Sequence, residues 1–370
     1  MSFTTTLLTL LIIIVSIQVG YYLIFLFSFG LKKTGNKLKR NLPISVIICA
    51  KNEAENLKIN LPYILDQNHS NFEIVLVNDS SSDDTLEVME SFQSENENVT
   101  VVDVKVNEAF WGNKKYALTL GIKASKNDFL VFTDADCRPD SNDWLAHISA
   151  CFSNTKSIVL GYGAYDKKKY SFLNKIIRYE TLITAMQYFS YTNIGMPYMA
   201  VGRNLAYRKE VFFNNSGFNN HMHIKSGDDD LFINEVANKS NTIGCVTEGS
   251  FTISSPKTSF KDWIAQKRRH ISTANLYKTN HKLILGLYYL SQLMFWILAL
   301  LCFLFYENWP IILGLVLTRI IVQYIAVGLT AKKLKELDLI VLTPILDLFL
   351  VISQLFIFSN NLISKPKHWK

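Results

Sequence analysis

Apolar positions are spread unevenly along this chain of 370 residues. They form long uncharged runs toward both ends and short runs, alternating with polar stretches, in the middle. Residues 6–29, TLLTLLIIIVSIQVGYYLIFLFSF, carry no charge and are long enough to cross a bilayer. Charges follow this run rather than precede it, and no small-residue cleavage site closes it. A retained anchor is therefore expected rather than a signal peptide. Three further runs, 283–306, 309–330 and 338–359, are candidate spans near the C-terminus. Arg319 and Asp347, inside the last two, are costly in lipid and are expected to face protein or an interface. Pro344 weakens the final run as a plain spanning helix, which could instead lie partly in the interface or re-enter the membrane.

From residue 42 the pattern changes. PISVIICA (43–50), EIVLVND (73–79), VTVVDVK (99–105) and DFLVFTDAD (128–136) read as strands. ENLKINLPYILDQ (55–67), DDTLEVMESFQ (83–93) and KKYALTLGIKAS (114–125) have the apolar spacing of helices. The alternation predicts an α/β fold of βαβ units with a mostly parallel central sheet covered on both faces. Such sheets take ligands at the carboxyl ends of their strands. KNE (51–53), NDSSSDD (78–84) and DAD (134–136) fall there. One polar strand end is ordinary loop chemistry; three in succession suggest a site.

Charge adds orientation. The net charge is +7, and much of it lies beside the apolar runs, where basic residues meet anionic headgroups, so no nucleic-acid partner is called for. LKKTGNKLKR (31–40) and AKKLKE (331–336) both belong on the cytoplasmic side by the positive-inside rule. That puts the N-terminus outside and residues 31–282 inside an inner or plasma membrane. Counting spans then sends SKPKHWK (364–370) outward, against the same rule, and leaves the last crossing open. The expected organisation is an anchor at 1–30, a cytoplasmic domain at 31–282, and a membrane region of two or three spans at 283–370.

Other chemistry is narrowed by what the sequence lacks. There is no G-x-G-x-x-G after the first strand and no G-x-x-x-x-G-K-[ST], which argues against a dinucleotide-dependent oxidoreductase and a P-loop nucleotidase. A bound phosphate would need a metal ion or basic side chains. The five cysteines (49, 137, 151, 245 and 302) have no zinc-like spacing and read as reduced thiols. His221 and His223 form an H-x-H that reads as a solvated loop more readily than a metal site. KKKYSFLNKIIRYETLITAMQYF (167–189) suits either a membrane surface or packing beside the sheet.

ISVIICAKNEAENL, VNDSSSDDT, WGNKKYALTLG, FTDADCRPD, PYMAVGRNLAYR, SGDDDLFINE and WIAQKRRHIST follow one another between residue 44 and about 270. Their order resembles that of family 2 glycosyltransferases with the A-type fold. The likeness is to the membrane-embedded branch that includes cellulose, hyaluronan and poly-N-acetylglucosamine synthases and ceramide glucosyltransferase. The resemblance implies a nucleotide-sugar donor, with Glu53 and Asp79 beside the nucleotide and Lys114 or Lys115 on its phosphates. It implies that Asp136 holds a divalent cation, Mg²⁺ or Mn²⁺, with Asp134 close to both nucleotide and metal. Hard carboxylate oxygens suit either ion. Aligning on Gly-Asp-Asp makes Asp229 the general base, whereas aligning on Leu231 makes it Asp228; the first is preferred. Gln266 and Arg269, helped by Arg268, match the Gln-x-x-Arg-Trp signature at the pyrophosphate, but His270 replaces the tryptophan of the acceptor platform. Gly202 and Asn204 match a segment near donor sugar and acceptor.

The implied activity is inverting transfer of a sugar, from a UDP-sugar by expectation, to a lipid-linked or glycan acceptor. A processive polysaccharide synthase, whose channel would draw further spans from an oligomer or partner, and a non-catalytic membrane scaffold or binding protein with the same fold are the alternatives.

Overall fold

The computed structural model describes residues 3–33, 40–105, 114–224 and 226–364. The chain starts with α1 (Phe3–Phe25), which continues as a π-helical turn, Leu26–Gly30. Then come β1 (Ile44–Ala50), α2 (Ala54–Leu65), β2 (Phe72–Asp79), α3 (Thr85–Glu95) and β3 (Val99–Val104). These are followed by α4 (Lys114–Ala124), β4 (Phe129–Asp134), β5 (Cys137–Pro139), α5 (Trp144–Cys151), β6 (Ile158–Leu160) and β7 (Gly163–Tyr165). Next are α6 (Phe172–Asn193), β8 (Leu205–Arg208), α7 (Lys209–Asn214), α8 (Asp230–Val236), β9 (Thr242–Gly244) and β10 (Thr252–Ser254). Four helices complete the chain: α9 (Phe260–Ser272), α10 (Thr279–Phe305), α11 (Trp309–Lys333) and α12 (Thr343–Ile363).

Two compact units divide these elements discontinuously. Residues 40–167 and 195–256 form a sheet unit; residues 3–33, 168–194 and 257–364 form a helical unit. Segments 168–194 and 257–282 thus group with the apolar helices.

In the sheet unit, a seven-stranded sheet runs β3-β2-β1-β4-β8-β6-β9. β1, β2, β3 and β4 are mutually parallel, β8 is antiparallel to both its neighbours, and β6–β9 is parallel. The mostly parallel α/β architecture therefore stands. β1 and β2 are near-continuous apolar runs because both faces are covered, as parallel strands require. α4 reaches the sheet through Gly121, where an added Cβ would lie 2.6 Å from Val77 Cγ2. Register places Ala50 opposite Asn78 and Cys49 opposite Asp134, so β1, β2 and β4 end on one edge. The fourth strand stops at Asp134, short of the expected residue 136: Ala135 and Asp136 form a turn into β5. Asn60 Nδ2 donates to Ala135 O at 3.0 Å and holds that turn. β5 then joins a small sheet, β5-β10-β7.

In the helical unit, four segments among the described residues are long and apolar enough to cross a membrane: Phe3–Gly30, Thr279–Phe305, Trp309–Lys333 and Leu337–Ile363. Pro344 does not interrupt the last one. It sits in the first turn of α12, where its missing N–H is not needed. Arg319 and Asp347 face protein, as expected: both are fully buried, with Arg319 Nη2 3.0 Å from Asp347 Oδ2. Arg319 also donates to Gln323 Oε1, Gln18 Oε1 and Tyr22 OH, while Gln292, Gln323 and Trp296 donate to Asp347. These bonds use most of the pair's remaining hydrogen-bonding capacity, which offsets its desolvation, and leave Arg319 Nε buried without a partner. α6 is buried on most of its faces, with Phe189 stacked on Phe29 at 5.1 Å and Tyr191 edge-on to Phe25. It is a packed helix of this unit.

Candidate active site

The three strand ends are stitched together by short polar loops. Asn52 takes a left-handed conformation (φ 56°), so that its Oδ1 accepts from Ser82 N at 2.8 Å and its own N–H donates to Ser81 Oγ. Glu53 N donates to Thr85 Oγ1 at 2.8 Å, and Asp83 accepts from Thr85 N and Ala54 N. Asp79 closes β2 and is 5% exposed. Burial pushes its carboxyl up, and Lys51 and Lys114 draw it back down.

Lys114, the first residue of α4, bridges two of the acidic motifs. Its Nζ lies 2.9 Å from Asp134 Oδ1 and 3.3 Å from Asp228 Oδ2. Burial alone would raise the Asp134 carboxyl, but Lys114, with help from Arg203, outweighs it and holds the group below the usual carboxylate range. Lys115 goes elsewhere. Its buried ammonium donates to His221 O at 2.7 Å and Ile224 O at 3.1 Å, pinning the loop before α8. Burial also lowers it to about 8. His221 is buried and pushed down to about 4, first by burial and then by Lys115, while His223 is exposed.

The triple Asp divides into distinct roles. Asp228 pairs with Lys114. Asp229 caps α8: its Oδ1 accepts from Asp230 N at 2.7 Å and its Oδ2 from Gly202 N at 2.6 Å. Asp230 turns to Leu231 N. Burial, then the neighbouring Asp228 and Asp230, lift the Asp229 carboxyl to about 8, against the pull of Lys114. Asp134, Lys114, Asp228, Asp229 and Gly202 line one pocket together with apolar Ile47, Phe132 and Tyr207. A basic group and three carboxyl groups beside apolar side chains can hold a charged ligand and accept a proton.

Ligand atoms of Asp134, Asp136 and Cys137 lie within 4.8 Å of one another. Two hard carboxylates fit Mg²⁺ or Mn²⁺. The Cys137 thiol does not suit such an ion: burial, then Asp136, raises it well above its ordinary value, and it bonds to Asp136 Oδ1 and Ser254 Oγ. Behind this group sits Arg203, which sequence reasoning missed. Its guanidinium stacks 4.1 Å over Tyr165, donates to Gly163 O at 2.7 Å, and reaches Ser254 Oγ at 3.5 Å. Only its position between Gly202 and Asn204 in the quoted motif marked it. Asn204 is fully buried and spends its amide on structure: Nδ2 donates to Tyr162 O and Ser250 O, and Oδ1 accepts from Trp144 Nε1.

Gln266, Arg268, Arg269 and His270 lie on α9, in the helical unit. Ser259 caps this helix at Asp262 N, and buried Trp263 fixes its face by donating to Glu180 Oε2. Arg268 bonds Asn361 Oδ1 at 2.8 Å, Asn360 O and both oxygens of Ser364. Arg269 is half-buried, which lowers its pKa, and His270 is exposed. WGN (111–113) and most of 31–40 lie outside the described residues.

Residues 45–213, from β1 to α7, match Glycosyl transferase family 2. That stretch is somewhat under half of the chain. Over 142 residues it is 30% identical to poly-β-1,6-N-acetyl-D-glucosamine synthase of Staphylococcus epidermidis, which covers 38% of this chain and 33% of that one. It is 28% identical over 194 residues to glycosyltransferase AglE of Haloferax volcanii, covering 50% of this chain and 58% of the other. The matches thus span about a third to three-fifths of these relatives. A mannosyltransferase of Pyrobaculum calidifontis, solved with GDP-mannose and Mn²⁺, superposes over 93% of this chain and 97% of its own, with a TM-score of 0.58 at 17% identity. The A-type glycosyltransferase fold expected from the motif order is the fold observed.

Proposed function

We propose that the chain is a membrane-embedded, metal-dependent inverting glycosyltransferase of the cytoplasmic face. It moves a sugar from a nucleotide-sugar, a UDP-sugar by preference, to a lipid-linked or glycan acceptor. The observation that carries this reading is the convergence of Asp229, Asp228, Lys114 and Asp134 in one pocket at the carboxyl edge of the sheet. In this reading the domain within 31–282 is catalytic, and the apolar segments hold it beside a lipid acceptor.

Asp79 and Glu53 contact the nucleotide, and Lys114 exchanges its carboxylate partners for the donor phosphates. Asp134 and Asp136 hold the divalent cation, which as a Lewis acid would neutralise the departing diphosphate. Asp229, positioned by Gly202 N and Asp230 N, accepts the proton of the acceptor hydroxyl. The acceptor oxygen bonds to the anomeric carbon as the bond to the diphosphate oxygen breaks, and one displacement inverts the centre. Arg269 and Gln266 assist at the pyrophosphate, where an always-charged planar fork fits phosphate oxygens. His270 contributes to the acceptor side. Arg268, Lys115 and Asn204 already serve the fold, so their part is to position neighbours. The similarity to poly-β-1,6-N-acetyl-D-glucosamine synthase supports a second reading, processive synthesis of a glycan.

The test is release of UDP from a panel of UDP-sugars by the full chain in native-lipid nanodiscs, with and without Mn²⁺ or Mg²⁺. Cation-dependent release that disappears in Asp229→Asn supports the reading. Equal release without cation, or none from any donor by folded protein supplied with lipid extract, overturns it.

A further inference from the structure

The last apolar segment, Leu337–Ile363, has the length and hydropathy of a span, yet its contacts run against a crossing. Among the described residues, none of the four candidate spans falls between Gly30 and Thr279. Helices α6 and α9 come from that interval and so share one side of the bilayer. Both ends of the last segment are bound by these two helices. At its start, Arg178 of α6 pairs with Glu336 and Asp338, with Nε 2.9 Å from Glu336 Oε2 and Nη1 2.9 Å from Asp338 Oδ2. At its finish, Arg268 of α9 donates to Asn361 Oδ1 at 2.8 Å and Ser364 Oγ at 2.8 Å, and Asn361 Nδ2 donates back to Arg268 O. Midway, the Phe349 ring meets Phe172 of α6 at 5.8 Å and Phe260 of α9 at 6.2 Å.

The contacts with α10 show the direction of travel. Asp347 accepts from Gln292 and Trp296. Further along α12, Val351 O accepts from Tyr289, and Phe358 packs on the Tyr289 ring at 5.3 Å. Beyond that, Asn361 and Ser364 meet Arg268, which precedes α10 in sequence. As α12 advances, its partners move back toward the start of α10. Its C-terminus therefore heads for the side from which α10 enters.

We infer that residues 337–363 do not cross the bilayer but dip into one leaflet and return. Asp347 marks the deepest point, held by Arg319 of α11, and α12 lies obliquely along the leaflet on the side of α6 and α9. Its occupant partner is the acyl layer of that leaflet. Ile345, Leu348, Ile352, Phe356 and Leu362 recur at helical spacing and are exposed, so they form a stripe facing lipid. The membrane then contains three spans, and Ser364 lies on the same side as residues 31–278. This also removes the conflict of charge: the basic SKPKHWK falls on the side of LKKTGNKLKR and AKKLKE. The inference rests on the membrane embedding in the proposed function and is indifferent to whether sugar transfer is detected.

The experiment is labelling of the full chain with a membrane-impermeant maleimide, in intact cells and in inverted vesicles, read against the wild-type background. Single cysteines are placed at Ser364 (S364C), at Lys33 (K33C) after the first span, and at Asn308 (N308C) between α10 and α11. S364C is expected to label with K33C and opposite to N308C. Labelling of S364C together with N308C overturns the inference. Fusions after Lys370 guard against a misfolded variant: fluorescence of a cytoplasm-only reporter is expected, and activity of an export-only phosphatase overturns the inference. UDP release, measured on the same membranes, separately reports the fate of the catalytic reading.

Discussion

Asp229→Asn is the perturbation that bears most directly on the chemistry. The carboxylate accepts two backbone hydrogen bonds, from Gly202 N at 2.6 Å and Asp230 N at 2.7 Å. An amide keeps one acceptor oxygen and turns an NH₂ toward the other donor. The fold should then lose about 1–3 kcal/mol, a shift of a few degrees in Tm. Removing a general base costs about 10²–10⁴ in rate, or about 3–5 kcal/mol of barrier. Turnover should therefore fall by at least about a hundredfold while the protein stays folded.

The pH profile supplies an independent check. With the carboxyl lifted to about 8, only about one molecule in ten carries the base form at pH 7. kcat/KM should climb by about tenfold per unit from pH 6 and level near 8. Asp228→Asn should move this limb to lower pH by removing a like charge. The stability sign is the reverse of the catalytic one. A carboxyl raised in the fold contributes stability that is fully present below its ordinary 3.8 and is lost as pH rises through about 8. UDP release by the purified chain, with thermal unfolding read in parallel, measures all of this. Retention of more than about a hundredth of turnover in Asp229→Asn, or a limb that moves alkaline in Asp228→Asn, would refute the reasoning.

Three further outcomes are expected. Asp136→Ala should abolish cation-dependent turnover and weaken Mn²⁺ binding, read by electron paramagnetic resonance, without changing Tm by more than a few degrees. Lys114→Met should lower kcat/KM by more than about tenfold, and it leaves the Asp134 and Asp228 carboxylates without their shared cation. Lys115→Met should act on the fold rather than on the rate: it takes the donor from the half-buried Ile224 carbonyl, at about 1–3 kcal/mol, and leaves the His221 carbonyl with Ile224 N alone. Arg319→Leu should destabilise the helical unit by about 3–5 kcal/mol in a detergent unfolding assay, by stranding Asp347. The double replacement Arg319→Leu with Asp347→Leu should recover most of that loss.

Much of the architecture was written locally in the chain. The change from long uncharged runs to short strands alternating with amphipathic helices is set by burial on one scale and periodicity on another, and both survive without tertiary context. The gathering of KNE, NDSSSDD and DAD at one edge followed directly, since parallel strands carry their C-terminal residues to the same side. Motif order pointed to the same family that residues 45–213 match.

Side-chain direction was not local. Lys114 and Lys115 are adjacent, yet one turns to Asp134 and the other to the His221 carbonyl, because successive helical positions point about 100° apart and only packing decides which faces the pocket. Arg203 carried no pattern of its own, and its place behind Asp136 depends on β7 and β10, distant in sequence. Pro344 read as a weakness because its effect depends on position within a helix, and the first turn is where it does no harm. Hydropathy likewise identified Leu337–Ile363 as apolar enough to span, but hydropathy has no direction. Arg178, Arg268 and Asp347 set the course of that segment, through pairings between residues as many as 160 positions apart.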